Sequence, residues 1–376
     1  MKIIDITPFF HKKSGGIRQY LLEKAKFLSA YPEIKHILIV PGRKKTLSHL
    51  YNSKVYEVSS VPIPGVGGYR YFRNLAEIKE ILEMECPHIV EFGGIYHLID
   101  RFKEGKFYKV CFYHSDVELY FSLFHLPPLF RDWLWKNFLV KKFKRMDLIF
   151  SPSRPQRDKL IKHGLEKVIT LNLGVDINIF NPTKRDDSFA ERYNLNGKVV
   201  KLLYVGRLSP EKNVSFLLKI MERLDAKSYQ LFVVGDGPER AKVEKIGKRL
   251  GNVIYLGYID NREELSTLYA SCDIFISASN SETFGLAFVE SQACGCVLVA
   301  QDMGLETQPF KEFLVKGSSK KESLLEDYHR AINRAASLLS TNTSLRYQIS
   351  SFIHKAFSWE ETFNQLLKHY EALLKS

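Results

Sequence analysis

Short runs of consecutive apolar residues recur along the chain, and most are followed by a stretch in which apolar positions return every three or four residues. Ile3-Ile4-Asp5-Ile6, Ile37-Leu38-Ile39-Val40, Val55-Tyr56-Glu57-Val58, Ile89-Val90-Glu91-Phe92, Val110-Cys111-Phe112-Tyr113, Leu148-Ile149-Phe150 and Val168-Ile169-Thr170-Leu171 form one set of such runs. Leu202-Leu203-Tyr204-Val205, Leu231-Phe232-Val233-Val234, Val253-Ile254-Tyr255-Leu256, Ile274-Phe275-Ile276 and Val297-Leu298-Val299-Ala300 form a second. Runs this short and this apolar suit strands covered on both faces, and the periodic stretches between them suit helices. Ile17 to Leu28, Leu75 to Leu82, Val214 to Leu224 and the last stretch, to Leu374, read as helices in this way. Strands alternating with helices predict an α/β chain with parallel sheets, whose ligands collect beyond the carboxyl ends of the strands.

One stretch concentrates the chemistry. Between the runs ending at Ser277 and beginning at Val297 lies Ser279-Asn280-Ser281-Glu282-Thr283-Phe284-Gly285-Leu286-Ala287-Phe288-Val289-Glu290-Ser291-Gln292-Ala293-Cys294-Gly295. It reads as a loop and then a helix, with Ser281 or Thr283 expected to cap the helix and Gly285 allowing a ligand to approach the backbone. Free N–H groups and the positive end of a helix dipole suit phosphate. The carboxylates of Glu282 and Glu290 repel phosphate, so a ligand that suits both carries hydroxyls beside its phosphates. Upstream, the run ending at Val205 delivers Gly206 and Arg207, and Lys212 follows where the next helix begins. A guanidinium fork and an ammonium converging there can neutralise a diphosphate.

Glu282 and Glu290 have the spacing of the E-x7-E motif of retaining GT-B glycosyltransferases of the large group 1 family, and the wording around them is similar to that family's. Gly206-Arg207-Leu208-Ser209-Pro210-Glu211-Lys212-Asn213 resembles its donor-diphosphate motif, and Gly174-Val175-Asp176 through Phe180-Asn181-Pro182 its hinge. The resemblance implies a GT-B fold of two Rossmann-like doubly wound domains facing across a cleft. It divides the chain into residues 1–182, an N-terminal acceptor-binding domain; 183–200, a linker; 201–350, a C-terminal nucleotide-sugar-binding domain; and 351–376, a helix crossing back to the first domain. It implies glycosyl transfer with retention from a nucleotide diphosphate sugar, UDP- or GDP-linked. The donor sugar would face Glu282 with Thr283, Phe284, Gly285 and Leu286, the ribose Glu290, and the base Gly257 and Tyr258. Arg207 and Lys212 would stabilise the departing diphosphate. His114, in a Tyr-His-Ser-Asp context at a strand end, would reach the donor sugar.

Gly15 and Gly16, between a strand and a helix, resemble a loop that in the family borders donor and acceptor; an ordinary strand-to-helix turn fits them as well. The chain contains no Asp-x-Asp, so no metal site and no cofactor are expected, and the basic pair does the metal's work. Gln301-Asp302-Met303-Gly304-Leu305-Glu306-Thr307 departs from the family, lacking its Gly-Gly, and leaves open an altered donor pocket.

Charge and cysteine refine this picture. The net charge is +13, and residues 1–200 hold 33 Lys and Arg against 21 Asp and Glu, while residues 201–376 hold 22 against 21. Halves this different meet different partners. Met1 opens directly into a strand pattern with no leader, and no run reaches the ~20 apolar residues of a membrane span. The five cysteines, an odd number set in apolar segments, read as buried reduced thiols, which points to the cytoplasm. After His114 comes the apolar stretch Leu119 to Phe130. Arg131, Trp133, Trp135, Lys136, Phe138, Leu139, Lys141, Lys142, Phe143, Lys144 and Arg145 then mix basic and aromatic side chains. Such a mixture suits an anionic membrane surface, and a core with a solvated face suits it too. With the charge concentrated in this half, the expectation is a peripheral enzyme on the cytoplasmic face of the membrane with a lipid or lipid-linked glycan acceptor. A soluble sugar or glycan acceptor is the alternative. A nicotinamide-dependent oxidoreductase is disfavoured by the missing G-x-G-x-x-G, and a nucleic-acid binder, suggested by a pI near 9.3, by the lack of a matching motif.

Overall fold

The computed structural model describes residues 1–10, 15–62, 70–94, 101–102, 105–114, 116, 127–195, 198–318 and 320–376, apart from the side chains of Pro128, Arg131, Asp132 and Phe138. These residues form two compact units: Met1–Leu173 together with Trp359–Ser376, and Gly174–Ser358.

Unit 1 is built on a nine-stranded sheet. Its elements run β1 (Lys2–Ile6), α1 (Gly16–Leu28), β2 (Lys35–Gly42), β3 (Thr46–Leu50), β4 (Ser53–Pro62), β5 (Arg70–Phe72) and α2 (Leu75–Glu85). They continue with β6 (Ile89–Gly93), β7 (Tyr108–Phe112), α3 (Pro128–Leu134), a π-helical turn (Trp135–Val140), a short helical turn (Lys141–Phe143), β8 (Leu148–Ser151), α4 (Arg154–Lys162) and β9 (Val168–Thr170). The strand order is β3-β4-β2-β1-β6-β7-β8-β9, with β5 on β4. The central strands are parallel and their residues are almost all buried, as their mostly apolar runs require. The sheet is not wholly parallel, however. β3 and β5 lie antiparallel to β4, and a two-residue turn with Tyr51 at φ 53° joins β3 to β4. That Tyr-Asn turn escaped the sequence reading because Thr46–Leu50 is a largely exposed edge strand with no apolar run.

Unit 2 has a five-stranded, wholly parallel sheet in the order β12-β11-β10-β13-β14. Its elements are α5 (Phe189–Arg192), β10 (Val200–Val205), α6 (Val214–Met221), β11 (Tyr229–Val234), α7 (Arg240–Leu250), β12 (Val253–Gly257), α8 (Arg262–Ser271) and β13 (Ile274–Ser277). α9 (Leu286–Ala293), β14 (Val297–Ala300), α10 (Lys321–Thr341) and α11 (Leu345–Ala356) complete it. The stretch expected as a linker is packed: Phe189 is buried with its ring 5.1 Å from that of Phe232. The boundary at Leu173 also falls ahead of the one drawn after Pro182.

The last helix, α12 (Trp359–Lys375), belongs to unit 1. Its apolar face places Phe363 5.4 Å from Phe27 and 5.6 Å from Tyr20 of α1. Apart from the run β2 to β5, strands and helices largely alternate along the chain in both units, the two-domain α/β arrangement expected from the pattern. One expectation about cysteine fails. Cys111, Cys272, Cys294 and Cys296 are buried, but Cys86 is exposed, because it ends α2 in a left-handed conformation, φ 46°, at the surface. No helix among the described residues is long and apolar enough to cross a membrane.

Candidate functional site

In unit 2 the carboxyl ends of β10, β11, β12 and β13 bring most of the candidate residues together. β10 runs into Gly206, whose N–H donates to Val234 O at 3.1 Å. β11 runs into Gly235 at φ 139°, where a Cβ would lie 1.8 Å from Gly206 O. The two strand ends close on each other only because that residue is glycine. Gly235 N–H in turn donates to Gly257 O at 2.8 Å, so Gly206, Gly235 and Gly257 line three adjacent strand ends. Tyr204 lies beneath, its hydroxyl donating to Arg207 O at 2.8 Å. Burial raises its phenol far above the usual range, with the charges of Glu282, Glu211 and Glu239 adding to the effect.

Arg207 is exposed, 4.0 Å from Glu211. Lys212 closes a 3-10 turn, and its Nζ lies 2.6 Å from Glu282 Oε1 with both side chains largely covered. Asn213 adopts the left-handed conformation at φ 54°, and its Nδ2 donates to Ala278 O at 3.2 Å, tying the loop after β10 to the loop after β13. The structure therefore joins Gly206, Arg207, Lys212 and Glu282 at the ends of two neighbouring strands.

The start of α9 differs from expectation. Neither Ser281 nor Thr283 caps it; Gly285 does, at φ 84°, with no side-chain hydrogen bond. A Cβ at Gly285 would meet the Phe288 ring at 2.8 Å, so the turn excludes larger residues. Phe284 is buried, and its carbonyl accepts from Thr307 Oγ1 at 2.8 Å. Thr283 and Leu286, on either side of this turn, are half-buried. Glu290 stands one turn inside α9, with Tyr269 Oη 3.5 Å from its Oε2. Tyr258 is exposed, its hydroxyl 3.3 Å from Asp260 Oδ1.

The unusual segment Gln301–Thr307 is firmly held. Gln292 Nε2 donates to Phe288 O and to Thr307 O, both at 2.8 Å, and Gln308 bridges Gln301 O and Met303 N. Gln292, Thr307 and Gln308 are buried. Buried amides take over the ordering of this loop, a role the sequence reading did not give them.

In unit 1 the candidates are Gly15, Gly16 and His114. Gly15 is exposed and precedes α1, and Gly16 is its first residue; the flanking His11–Ser14 lies outside the described residues. His114 follows β7. Its ring stacks on Phe112 with centroids 4.1 Å apart and planes 6° apart, and meets Tyr20 edge-on at 5.0 Å. Burial holds the imidazole well below its usual range; Asp5 pulls the other way, and the Lys24 ammonium adds to the fall.

Asp5 and Glu91 are direct cross-strand partners of β1 and β6. Lys24 of α1, fully buried, reaches Asp5 at 2.8 Å and Glu91 at 3.3 Å. His36 Nε2 lies 2.6 Å from Asp5, and its Nδ1 lies 2.7 Å from Ser53 Oγ. Tyr20 and Tyr370 both donate to Glu91. This charged cluster was not anticipated, although the lone carboxylates in Ile-Ile-Asp-Ile and Ile-Val-Glu-Phe were its signal. A buried charge persists only where paired and hydrogen-bonded.

The basic and aromatic segment divides. Trp135, Leu139, Val140, Lys142 and Phe143 are buried. Leu129, Phe130 and Trp133 of α3 are 85%, 46% and 56% exposed, and the rings of Phe130 and Trp133 stack 5.8 Å apart. Lys136, Lys141, Lys144 and Arg145 are exposed beside them in sequence. Leu119–Leu126, in the apolar stretch before them, lies outside the described residues.

Comparison with known proteins matches both parts of the chain. Residues 186–350 match the family of glycosyl transferases group 1, and residues 14–179 match glycosyltransferase family 4. A GDP-mannose-dependent alpha-mannosyltransferase of Corynebacterium glutamicum is 25% identical over 98% of this chain and 88% of its own. A GDP-mannose-dependent alpha-(1-6)-phosphatidylinositol dimannoside mannosyltransferase of Mycobacterium tuberculosis is 27% identical over 78% of each chain. Sucrose-phosphate synthase of Thermosynechococcus elongatus shares the fold, with a TM-score of 0.79 at 18% identity over 100% of this chain and 99% of its own. The two matches together cover most of both units, and the chain is a glycosyltransferase with the GT-B fold.

Proposed function

We propose that this glycosyltransferase moves a hexose from a nucleotide diphosphate sugar, GDP-mannose foremost, to a lipid or lipid-linked glycan acceptor. The observation that carries the reading is the 2.6 Å contact of Lys212 with Glu282 at the ends of two neighbouring parallel strands. A cation that can meet a diphosphate is held against a carboxylate that can meet sugar hydroxyls. In this reading Arg207 and Lys212 take up the charge of the leaving diphosphate, an electrostatic role usually worth several kcal/mol. Glu282 and the Thr283–Leu286 turn face the donor sugar, and Glu290 the ribose. Gly257 and Tyr258 receive the base. His114 acts as a neutral imidazole on a hydroxyl, and Gly15 and Gly16 contribute bare backbone. Transfer with retention and without a metal completes the proposal.

The donor choice draws on the mannosyltransferase relatives, and the lipid acceptor on the relative named for phosphatidylinositol dimannoside. The exposed Leu129, Phe130 and Trp133, followed by Lys136, Lys141, Lys144 and Arg145, support an anionic membrane surface as partner, and hence a peripheral enzyme on the cytoplasmic face. The first test is thermal unfolding with GDP-, UDP- and ADP-sugars, because a ligand that binds the native state raises its melting temperature. Protection by a GDP- or UDP-sugar is expected; protection by none of the three sets contradicts the reading.

A further inference from the structure

The surroundings of His114 are more ordered than a strand-end histidine needs. Phe112 lies parallel to the imidazole, and Tyr20 presents its edge, so two walls of the ring are aromatic. Tyr20 also packs on Phe112 with centroids 4.8 Å apart. The ring of Tyr20 is itself fixed at its far end. Its hydroxyl lies 3.0 and 3.3 Å from the two oxygens of Glu91. Glu91 cannot swing away, because it is the cross-strand partner of Asp5, lies 3.3 Å from the buried Lys24 ammonium and accepts from Tyr370 of α12. Trp359 and Phe363 of α12 also pack on the Tyr20 ring, with centroids 6.5 and 5.6 Å away, and the Lys24 ammonium lies 5.5 Å from its centre.

We propose that Tyr20 is a positioning residue for His114, its ring and that of Phe112 forming a slot that fixes the imidazole plane, with the buried Asp5–Lys24–Glu91 cluster holding Tyr20 in place. The inference rests on the reading of His114 as a group of the active site. Aromatic rings meeting at these distances and angles prefer one arrangement, and a side chain whose far end is hydrogen-bonded to a buried carboxylate has little freedom left. The slot excludes water from one side of the ring, which keeps the imidazole neutral. A misplacement of about 1 Å costs about a hundredfold in rate, so the slot's effect falls on turnover rather than on donor binding.

The experiment compares wild type with Tyr20→Leu, Tyr20→Phe and His114→Ala. Two readouts are followed: turnover of GDP-mannose, and the pH titration of the His114 ring by NMR, assigned by its loss in His114→Ala. The wild-type ring is expected to titrate well below pH 6.5. Tyr20→Leu is expected to move that midpoint upward by at least one pH unit and to lower kcat about ten- to a hundredfold, with KM for GDP-mannose changed less than about twofold. Tyr20→Phe keeps the ring but loses its anchor on Glu91, and is expected to fall between wild type and Tyr20→Leu in both readouts. An ordinary midpoint near 6.5 in the wild-type protein overturns the proposal without any variant. So does a Tyr20→Leu protein that melts as wild type does and keeps both kcat and the midpoint, or equal losses in Tyr20→Leu and Tyr20→Phe. Normal turnover in His114→Ala overturns the active-site reading of His114 and the positioning role with it. If wild type does not turn over GDP-mannose, the donor reading fails, and the titration of wild type and Tyr20→Leu decides the slot.

Discussion

Lys212 Nζ stands 2.6 Å from Glu282 Oε1, although the two residues are seventy positions apart in the chain. One comes from the loop after β10 and the other from the loop after β13, and the Asn213 bond to Ala278 O holds the loops together. A diphosphate arriving here meets an ammonium that is already oriented. Arg207→Ala or Lys212→Ala is expected to cut kcat/KM about ten- to a thousandfold, because charge that develops on the leaving group loses a partner. Steady-state kinetics on variants with unchanged melting temperature checks this; near-normal kcat/KM in both removes the diphosphate assignment.

The two carboxylates of the same segment should separate by ligand. Glu290→Ala is expected to weaken binding of GDP and of GDP-mannose alike, since a ribose partner is lost. Glu282→Ala is expected to spare GDP and to harm only the sugar-bearing ligand. Calorimetric titration of both ligands into both variants tells them apart, and wild-type binding throughout defeats the assignment of both.

The placement of this candidate site was largely legible because its residues sit at strand ends, where a buried apolar run announces that the next polar residues are held in place. Gly206, Arg207, Lys212 and Glu282 were readable for that reason. The cap of α9 was not, because Ser281 and Thr283 are the residue types that cap helices, while the turn instead uses the positive φ of Gly285. The Asp5–Lys24–Glu91 cluster escaped because its members lie on β1, α1 and β6. No sequence spacing reports a cross-strand neighbour. β3 escaped because an exposed edge strand carries no apolar run. The basic and aromatic segment was ambiguous for a physical reason: its residues divide between core and surface, Trp135 inward and Trp133 outward.

The cluster makes a prediction about pH. Burial raises the Glu91 carboxyl to about 7, with Asp5 adding to the rise while Lys24 and Tyr370 oppose it. Tyr20 and Cys111 also face it, and both are themselves pushed upward by burial and by the Glu91 charge. A carboxyl whose folded value is raised contributes stability fully present below its ordinary value of 4.5, and that contribution is lost as the pH rises through about 7. Asp5 is depressed by Lys24 and His36 against the effect of burial, so its own contribution is lost only as the pH falls below the ordinary carboxylate range. Between about pH 4.5 and 7 the melting temperature of wild type should therefore fall by several degrees relative to Glu91→Gln. Parallel curves for the two proteins across that window contradict the account.

The exposed part of α3 and the residues after it make a prediction about membranes. Each basic residue near an anionic surface contributes about 1 kcal/mol, so Lys136, Lys141, Lys144 and Arg145 together are enough for reversible binding. Sedimentation with anionic vesicles should carry the protein down at low salt and less at high salt, and replacing the four by Gln should abolish it. Binding that ignores lipid charge or survives the replacement leaves a soluble acceptor as the better reading.

If Arg207 and Lys212 take up the diphosphate charge as proposed, activity persists in EDTA. Complete loss on chelation, restored by magnesium or manganese, shows that a metal shares the site.

The central claim is that the strand ends of unit 2 activate a nucleotide diphosphate sugar for transfer. It is tested most directly by incubating wild type and Lys212→Ala with radiolabelled GDP-mannose and vesicles containing phosphatidylinositol, and following both released GDP and label in the lipid. Equal amounts of GDP and lipid-bound label from wild type, reduced at least about tenfold in Lys212→Ala, are predicted. Label that never leaves GDP-mannose in the wild-type protein, or transfer at equal rates in both proteins, contradicts it.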